Sequence, residues 1–147
     1  MIIKIVPCLQ DNYSYVLHDP TTQETAVVDP SEALPILDVL GAQKWALSVI
    51  LCTHHHHDHV GGIEGLVQKT GVKRIISSHY DKNRIPLVSE TVREGDEILM
   101  CGQTMNVMEI PGHTIGHVAY YFPHVGAVFT GDTLFSLGCG RLFEGTF

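Results

Sequence analysis

The sequence predicts an α/β fold. Residues 46–52, Ala-Leu-Ser-Val-Ile-Leu-Cys, are almost wholly apolar on both faces, as in an interior strand of a sheet covered on both sides. Strand-like and helix-like stretches alternate around that run, which gives a strand–helix–strand unit. With 147 residues, 44% apolar and 17% charged, the chain has the size and composition of one globular domain, residues 1–147.

The elements follow in order. Residues 1–6 are short, apolar and β-branched, hence a strand. Gln10-Asp11-Asn12 is turn chemistry, and residues 13–17 form a second strand. Residues 19–23 make a polar hairpin turn, and residues 25–28 a third strand ending at Asp29-Pro30. Three strands with short polar turns predict an antiparallel meander. Ser31-Glu32 then marks a helix start, with Ala33, Leu34, Leu37 and Leu40 on one apolar face and Gly41 as its close. Beyond the strand at 46–52, Ile63, Leu66 and Val67 have helical spacing up to Gly71, and residues 74–78 are again a strand. Residues 89–100 predict a hairpin around Glu94-Gly95-Asp96. Strands follow at 105–110, 118–122 and 127–130. The remaining residues, 138–145, are glycine-rich. A domain that stops in such a loop buries little there and leaves its last strand open, so a missing C-terminal part is expected.

Composition excludes some classes of partner. The formal charge is −7, from 16 acidic against 9 basic residues, and no Lys/Arg cluster offers phosphate contacts. Nucleic acid is therefore not expected as a partner. The apolar runs fall short of the ~20 residues of a membrane span, so no membrane partner is expected. Cys8, Cys52, Cys101 and Cys139 are widely spaced with no Cys-x-x-Cys, and no signal-peptide pattern opens the chain. Four reduced thiols in a cytoplasmic monomer are expected.

The chemistry concentrates at Thr53-His54-His55-His56-His57-Asp58-His59-Val60-Gly61-Gly62, which follows directly on the apolar run. A histidine run alone also fits a solvated surface loop. Here an Asp stands among the histidines, a buried strand precedes them and a Gly-Gly pair follows. If the strand direction persists, His54 and His56 point one way and His55 and His57 the other. His113 sits on a Pro-Gly loop and Asp132 on a Gly-Asp turn, each after a strand. Ligands at the ends of several strands of one sheet would converge on a common edge. His54, His56 and His113 could then make a three-histidine metal site with a position open for water. Asp58 and His59 would begin a second site, and Asp132 could bridge the two. Two cations there would hold hydroxide at neutral pH and polarise a carbonyl, which predicts metal-assisted hydrolysis.

Thr-His-x-His-x-Asp-His at 53–59 is similar to the signature of the metallo-β-lactamase superfamily. Within it, Asp11-Asn12-Tyr13, Val28-Asp29-Pro30, residues 53–62, 111–117, 129–135 and 138–145 resemble the glyoxalase II (hydroxyacylglutathione hydrolase) family. The resemblance implies the N-terminal part of an αββα sandwich, without the family's C-terminal helical domain. It implies a first zinc held by His54, His56, His113 and Asp132. A second zinc would be held by Asp58, His59, Asp132 and one histidine that lies beyond this chain. His79, His117 and His124 do not sit in the motif for that ligand. Two zinc ions per complete subunit are implied, with iron or manganese as alternatives. Asp58 and Asp132 would position a hydroxide between the metals. The implied substrate is S-D-lactoylglutathione, cleaved to D-lactate and glutathione in methylglyoxal detoxification. Arg141 and Phe143 would contact its glutathione moiety, with Phe143 standing where the family has a tyrosine.

Two other readings stand beside this one. In one, the chain is a catalytically impaired metal-binding fragment, since one ligand and the substrate domain would be absent. A persulfide dioxygenase of the same superfamily is the other, although Arg141-Leu142-Phe143-Glu144-Gly145 fits glyoxalase II better.

Overall fold

The computed structural model describes residues 1–144; Gly145, which ends the glycine-rich stretch, lies outside the described residues. Strands β1 (Ile2–Cys8), β2 (Asn12–His18) and β3 (Thr25–Val28) form the expected antiparallel meander. Helix α1 (Ala33–Gln43) then leads to β4 (Val49–Leu51), which pairs parallel with β3. The short α2 (His57–Val60) and α3 (Ile63–Thr70) carry the chain to β5 (Arg74–Ser78), parallel to β4. Strand β6 (Glu90–Val92) completes a six-stranded sheet in the order β1-β2-β3-β4-β5-β6. Strands β7 (Glu97–Met100), β8 (Gln103–Glu109), β9 (Val118–Phe122) and β10 (Ala127–Phe129) build a second, antiparallel sheet in the order β10-β9-β8-β7.

Alternation along the strands divides the core in two. Val16, Val27, Ile50 and Ile75 stand opposite one another in register and pack on Ile36 and Leu40 of α1 and Ile63 and Leu66 of α3. Their neighbours Leu17, Ala26, Val28, Val49, Leu51 and Ile76 face the second sheet, against Met105, Val107, Val118, Tyr120 and Phe122. The layers are therefore helices, sheet, sheet. Among the described residues, no helix packs on the outer face of the second sheet.

Four expectations are corrected. Leu34 is 69% exposed, and Ile36 takes the inward position with Leu40; Leu34 lies roughly 200° from Ile36 around the helix. The helix also runs through Gly41 and closes at Lys44, which adopts the left-handed conformation (φ 57°) and donates its N–H to Gly41 and Leu40 carbonyls. The strand at 46–52 shortens to Val49–Leu51 because only that part finds a ladder partner on both sides. Residues 89–100 are not a hairpin. The turn at Gly95 (φ 80°) passes the chain from one sheet to the other, so β6 pairs with β5 while β7 pairs with β8.

Candidate metal centre

The histidine loop begins where β4 ends. Cys52 still donates to the Ile76 carbonyl (2.9 Å), and Thr53 accepts from Val118 of the second sheet (2.9 Å). Residues 54–56 are then irregular, and α2 starts at His57. The Gly-Gly pair is needed for close backbone approach. A Cβ on Gly62 would meet the backbone of Pro30, Glu32 and Ala33 at 2.7–2.9 Å, and one on Gly61 the His57 carbonyl at 2.9 Å. His113 comes from the loop after β8 and Asp132 from the turn after β10. The ligand candidates thus come from both sheets, not from one sheet edge as expected. The site lies where the carboxyl end of β4 meets the loops of the second sheet.

Two of the three imidazoles are oriented by their other nitrogen. Nδ1 of His113 donates to the Arg141 carbonyl (2.7 Å), which leaves Nε2 as an acceptor lone pair. Nδ1 of His54 donates to the Thr53 hydroxyl (3.1 Å), which frees Nε2 in the same way. His56 turns its Nδ1 inward, 3.2 Å from Nε2 of His54 and 2.9 Å from Nε2 of His113. Burial, then the surrounding imidazoles, pull His54 and His56 below the ordinary histidine range, so both are neutral at pH 7. Three inward nitrogens thus converge, two of them on neutral imidazoles, in a set rich in lone pairs. A borderline Lewis acid satisfies them, and a hydrogen-bond network alone does not.

A second group stands alongside. Asp58, His59 and Asp132 bring their donor atoms within 4.8 Å of one another, as do His54, His56 and His113. Asp132 spans the two groups, with Oδ1 3.1 Å from Nε2 of His59 and Oδ2 3.3 Å from Nε2 of His113. That His59 nitrogen is buried and makes no hydrogen bond of good geometry, although two carboxylates lie near it. An orphaned nitrogen between carboxylates fits a cation. Burial pulls the His59 imidazole down, but Asp132 and Asp29 outweigh it and hold the group up at about 10. Asp29, His54 and His59 also come together. Both Asp29 oxygens already accept from Thr53, so this carboxylate orients ligands instead of binding an ion.

The glycine-rich segment forms one wall. Gly140 donates to the Asp132 carbonyl (2.9 Å) and Phe143 to the His113 carbonyl (3.2 Å). The Phe143 ring stands edge-on to His56 and His113, at 5.6 and 5.1 Å between centroids. Arg141 lies over that ring at 5.7 Å, and both residues reach solvent. On the side of His59, Asp132 and Asn12, a cavity of about 770 Å³ opens between the edges of the two sheets, with Tyr13, Tyr15 and Phe135 in its lining.

All six expected ligands are gathered here, and His55 and His57 do turn away. His55 packs toward Asp81 and Arg84, and His57 is exposed. Four supporting residues are not evident from residue type or spacing. Asn12 donates to Oδ2 of Asp58 (2.9 Å). Asp29, with φ 48°, fixes Thr53 and His59. His117 stacks on His54 at 4.5 Å and accepts the backbone N–H of Asp132 at 3.2 Å. Asp81 is buried with neither oxygen hydrogen-bonded, and burial pushes its carboxyl up against the opposing pull of His55 and Arg84. The clue for Asp29 is a charged residue at the end of an apolar strand; the other three carry no such mark.

Comparison with known proteins agrees with this geometry. The family model described as "Metallo-beta-lactamase superfamily" matches residues 9–145. A hydroxyacylglutathione hydrolase of Jannaschia sp. (strain CCS1) is 51% identical over 141 residues, covering 96% of this chain and 55% of that protein. The chain thus spans about half the length of the curated relatives it matches. Among solved structures, the BLEG-1 B3 metallo-beta-lactamase superposes with a TM-score of 0.87 at 22% identity, over 98% of this chain and 79% of that one. TTHA1623, solved in a di-iron-bound form, gives a TM-score of 0.81 at 25% identity, over 95% and 76%. A family match over this extent, on a fold and a histidine loop that agree with it, makes the chain a member of the metallo-beta-lactamase superfamily.

Proposed function

We propose that the site is that of a metal-dependent thioester hydrolase cleaving S-D-lactoylglutathione to D-lactate and glutathione. The observation that carries the reading is Asp132, whose two oxygens reach both donor groups at 3.1 and 3.3 Å. Half identity to proteins named hydroxyacylglutathione hydrolase supports the substrate class and favours it over persulfide oxidation. His54, His56, His113 and Asp132 would hold one zinc, and Asp58, His59 and Asp132 a second, with iron or manganese as alternatives. Divalent ions in such a pair lower the pKa of water and polarise a carbonyl. The chain's own part is to orient. Asp132 and Asp58 fix the position from which water adds to the thioester carbon. Phe143 and Arg141 line the approach on the other side, where the glutathione moiety would lie. A carbon–oxygen bond forms, the carbon–sulfur bond breaks with its electron pair going to sulfur, and the protons released from water pass to solvent, since the leaving thiolate needs little protonation.

The four cysteines are unpaired, which supports a cytoplasmic protein, and we place it there as a monomer removing methylglyoxal-derived thioesters. A second reading is favoured by one observation. The Asp58–His59–Asp132 group offers three donors, one fewer than His54, His56, His113 and Asp132 together, so a less firmly held second ion would leave metal binding with impaired catalysis. The test is metal content per chain measured with hydrolysis of S-D-lactoylglutathione. Two ions and steady turnover support the hydrolase. Metal bound without turnover supports the impaired form, and no metal at all overturns both.

A further inference from the structure

Arg84 reaches two distant parts of the chain, His55 and Glu144, from one turn. That turn is closed by Arg84 and Ile85 N–H groups donating to the Asp81 carbonyl at 2.8 and 3.1 Å, so its base is fixed. The guanidinium grips Glu144 with both terminal nitrogens, Nη1 at 3.2 Å from Oε2 and Nη2 on Oε1. Nη2 also donates to Nε2 of His55 (2.6 Å), the histidine that faces away from the metal centre. Glu144 Oε2 accepts a further bond from the backbone N–H of Ile115 (3.0 Å), two residues after His113. The carboxylate therefore ties the turn at 81–85, the loop that carries His113 and the glycine-rich segment to one point. An isolated ion pair on a surface contributes little. A forked carboxylate with a third, backbone donor is a network with a defined geometry.

The segment so tied carries Phe143, one residue from Glu144, edge-on to His56 and His113. We propose that Arg84 and Glu144 are positioning residues that hold residues 138–144 as a wall against the metal centre and so set the affinity for a glutathione thioester. The affinity half of this rests on the thioester reading above; the clamp itself does not. His55 supports the clamp from beneath, with Nδ1 3.4 Å from the buried Asp81 carboxylate.

The native Cys139 reports on this segment, since it is exposed and the other three thiols are buried. A nitroxide on Cys139 is compared in the wild type, Arg84→Met, Glu144→Gln and the charge swap R84E/E144R. Each single variant should loosen the label, and the swap should restore a substantial part of its immobilisation. Glutathione binding should weaken roughly five- to twentyfold in the single variants, with metal per chain unchanged. An unchanged label in both single variants overturns the clamp. Metal lost in step with affinity overturns the substrate role, because the pair would then serve the metal centre. A wild type that binds no glutathione overturns the thioester reading and the affinity claim together, and the label alone then decides the clamp.

Discussion

Oδ2 of Asp29 lies 3.1 Å from Nδ1 of His59, and both side chains are buried. The same carboxylate accepts the Thr53 amide at 2.7 Å and the Thr53 hydroxyl at 2.6 Å, and that hydroxyl meets Nδ1 of His54. One carboxylate therefore sets the ring orientation of a candidate ligand in each metal group. Loss of such a partner costs roughly 10–100-fold in metal affinity. Asp29→Asn should lose that much in a competition titration with a chelating dye. An affinity equal to the wild type would sink the idea that Asp29 orients these rings.

The metal-free chain should lose stability as the medium becomes alkaline. The His59 imidazole is held up at about 10, against an ordinary 6.5, so the folded state binds its proton more tightly than the unfolded state does. That contribution is complete below about 6.5 and is lost as pH rises through about 10. Denaturant unfolding after chelation should show it, and Asp132→Asn should flatten the dependence. Metal uptake near neutral pH should also expel a proton, measurable in weak buffer.

His117 gives the opposite slope on the acid side. Burial holds its imidazole down at about 4, so its neutral form belongs to the folded state. Stability from this group is full above about 6.5 and falls as pH drops toward about 4. His117→Phe keeps a ring beside His54 but leaves the Asp132 amide without its acceptor. It should cost ~1–3 kcal/mol in thermal or urea unfolding and flatten the acid limb. An acid limb as steep as the wild type would rule out this assignment.

Thiol chemistry offers a simple check of the fold. Cys139 is exposed, while Cys8, Cys52 and Cys101 are buried. Burial, helped by Glu24, pushes the Cys101 thiol up to about 12, and burial raises Cys52 well above its usual range. Iodoacetamide should label one cysteine in the native chain at pH 8 and all four in denaturant. Rapid native labelling of Cys101 would contradict the packing between the sheets.

The chelated chain should unfold at lower temperature than the metal-loaded one, by an amount that grows with free metal concentration. His54→Ala and His113→Ala should each abolish most of that increment. Differential scanning calorimetry with and without metal decides it.

Much of this site was legible because ligand chemistry is local in the chain. His54, His56, Asp58 and His59 fall within six residues, and a buried strand before a Gly-Gly pair leaves few other uses for them. The supporting residues were harder to read. Asp29 reaches His59 across 30 positions, and Asn12 reaches Asp58 across 46. No spacing rule relates such pairs before the sheet order is known. The same gap explains the false hairpin at 89–100, where the turn at Gly95 was legible and the change of sheet was not. Leu34 misled for a different reason: its type suits a core, but the face of α1 is chosen by the sheet beneath it.

His56 and His113 are 57 positions apart, and they enter the centre from different sheets. The first sheet alone therefore carries only part of the His54–His56–His113 and Asp58–His59–Asp132 groups. Metal captured early, by the histidine run alone, would sit in a loose and exchangeable complex. A complete donor set requires both sheets in place. An ion bound there would cross-link the two sheets, so its release and their separation would be coupled.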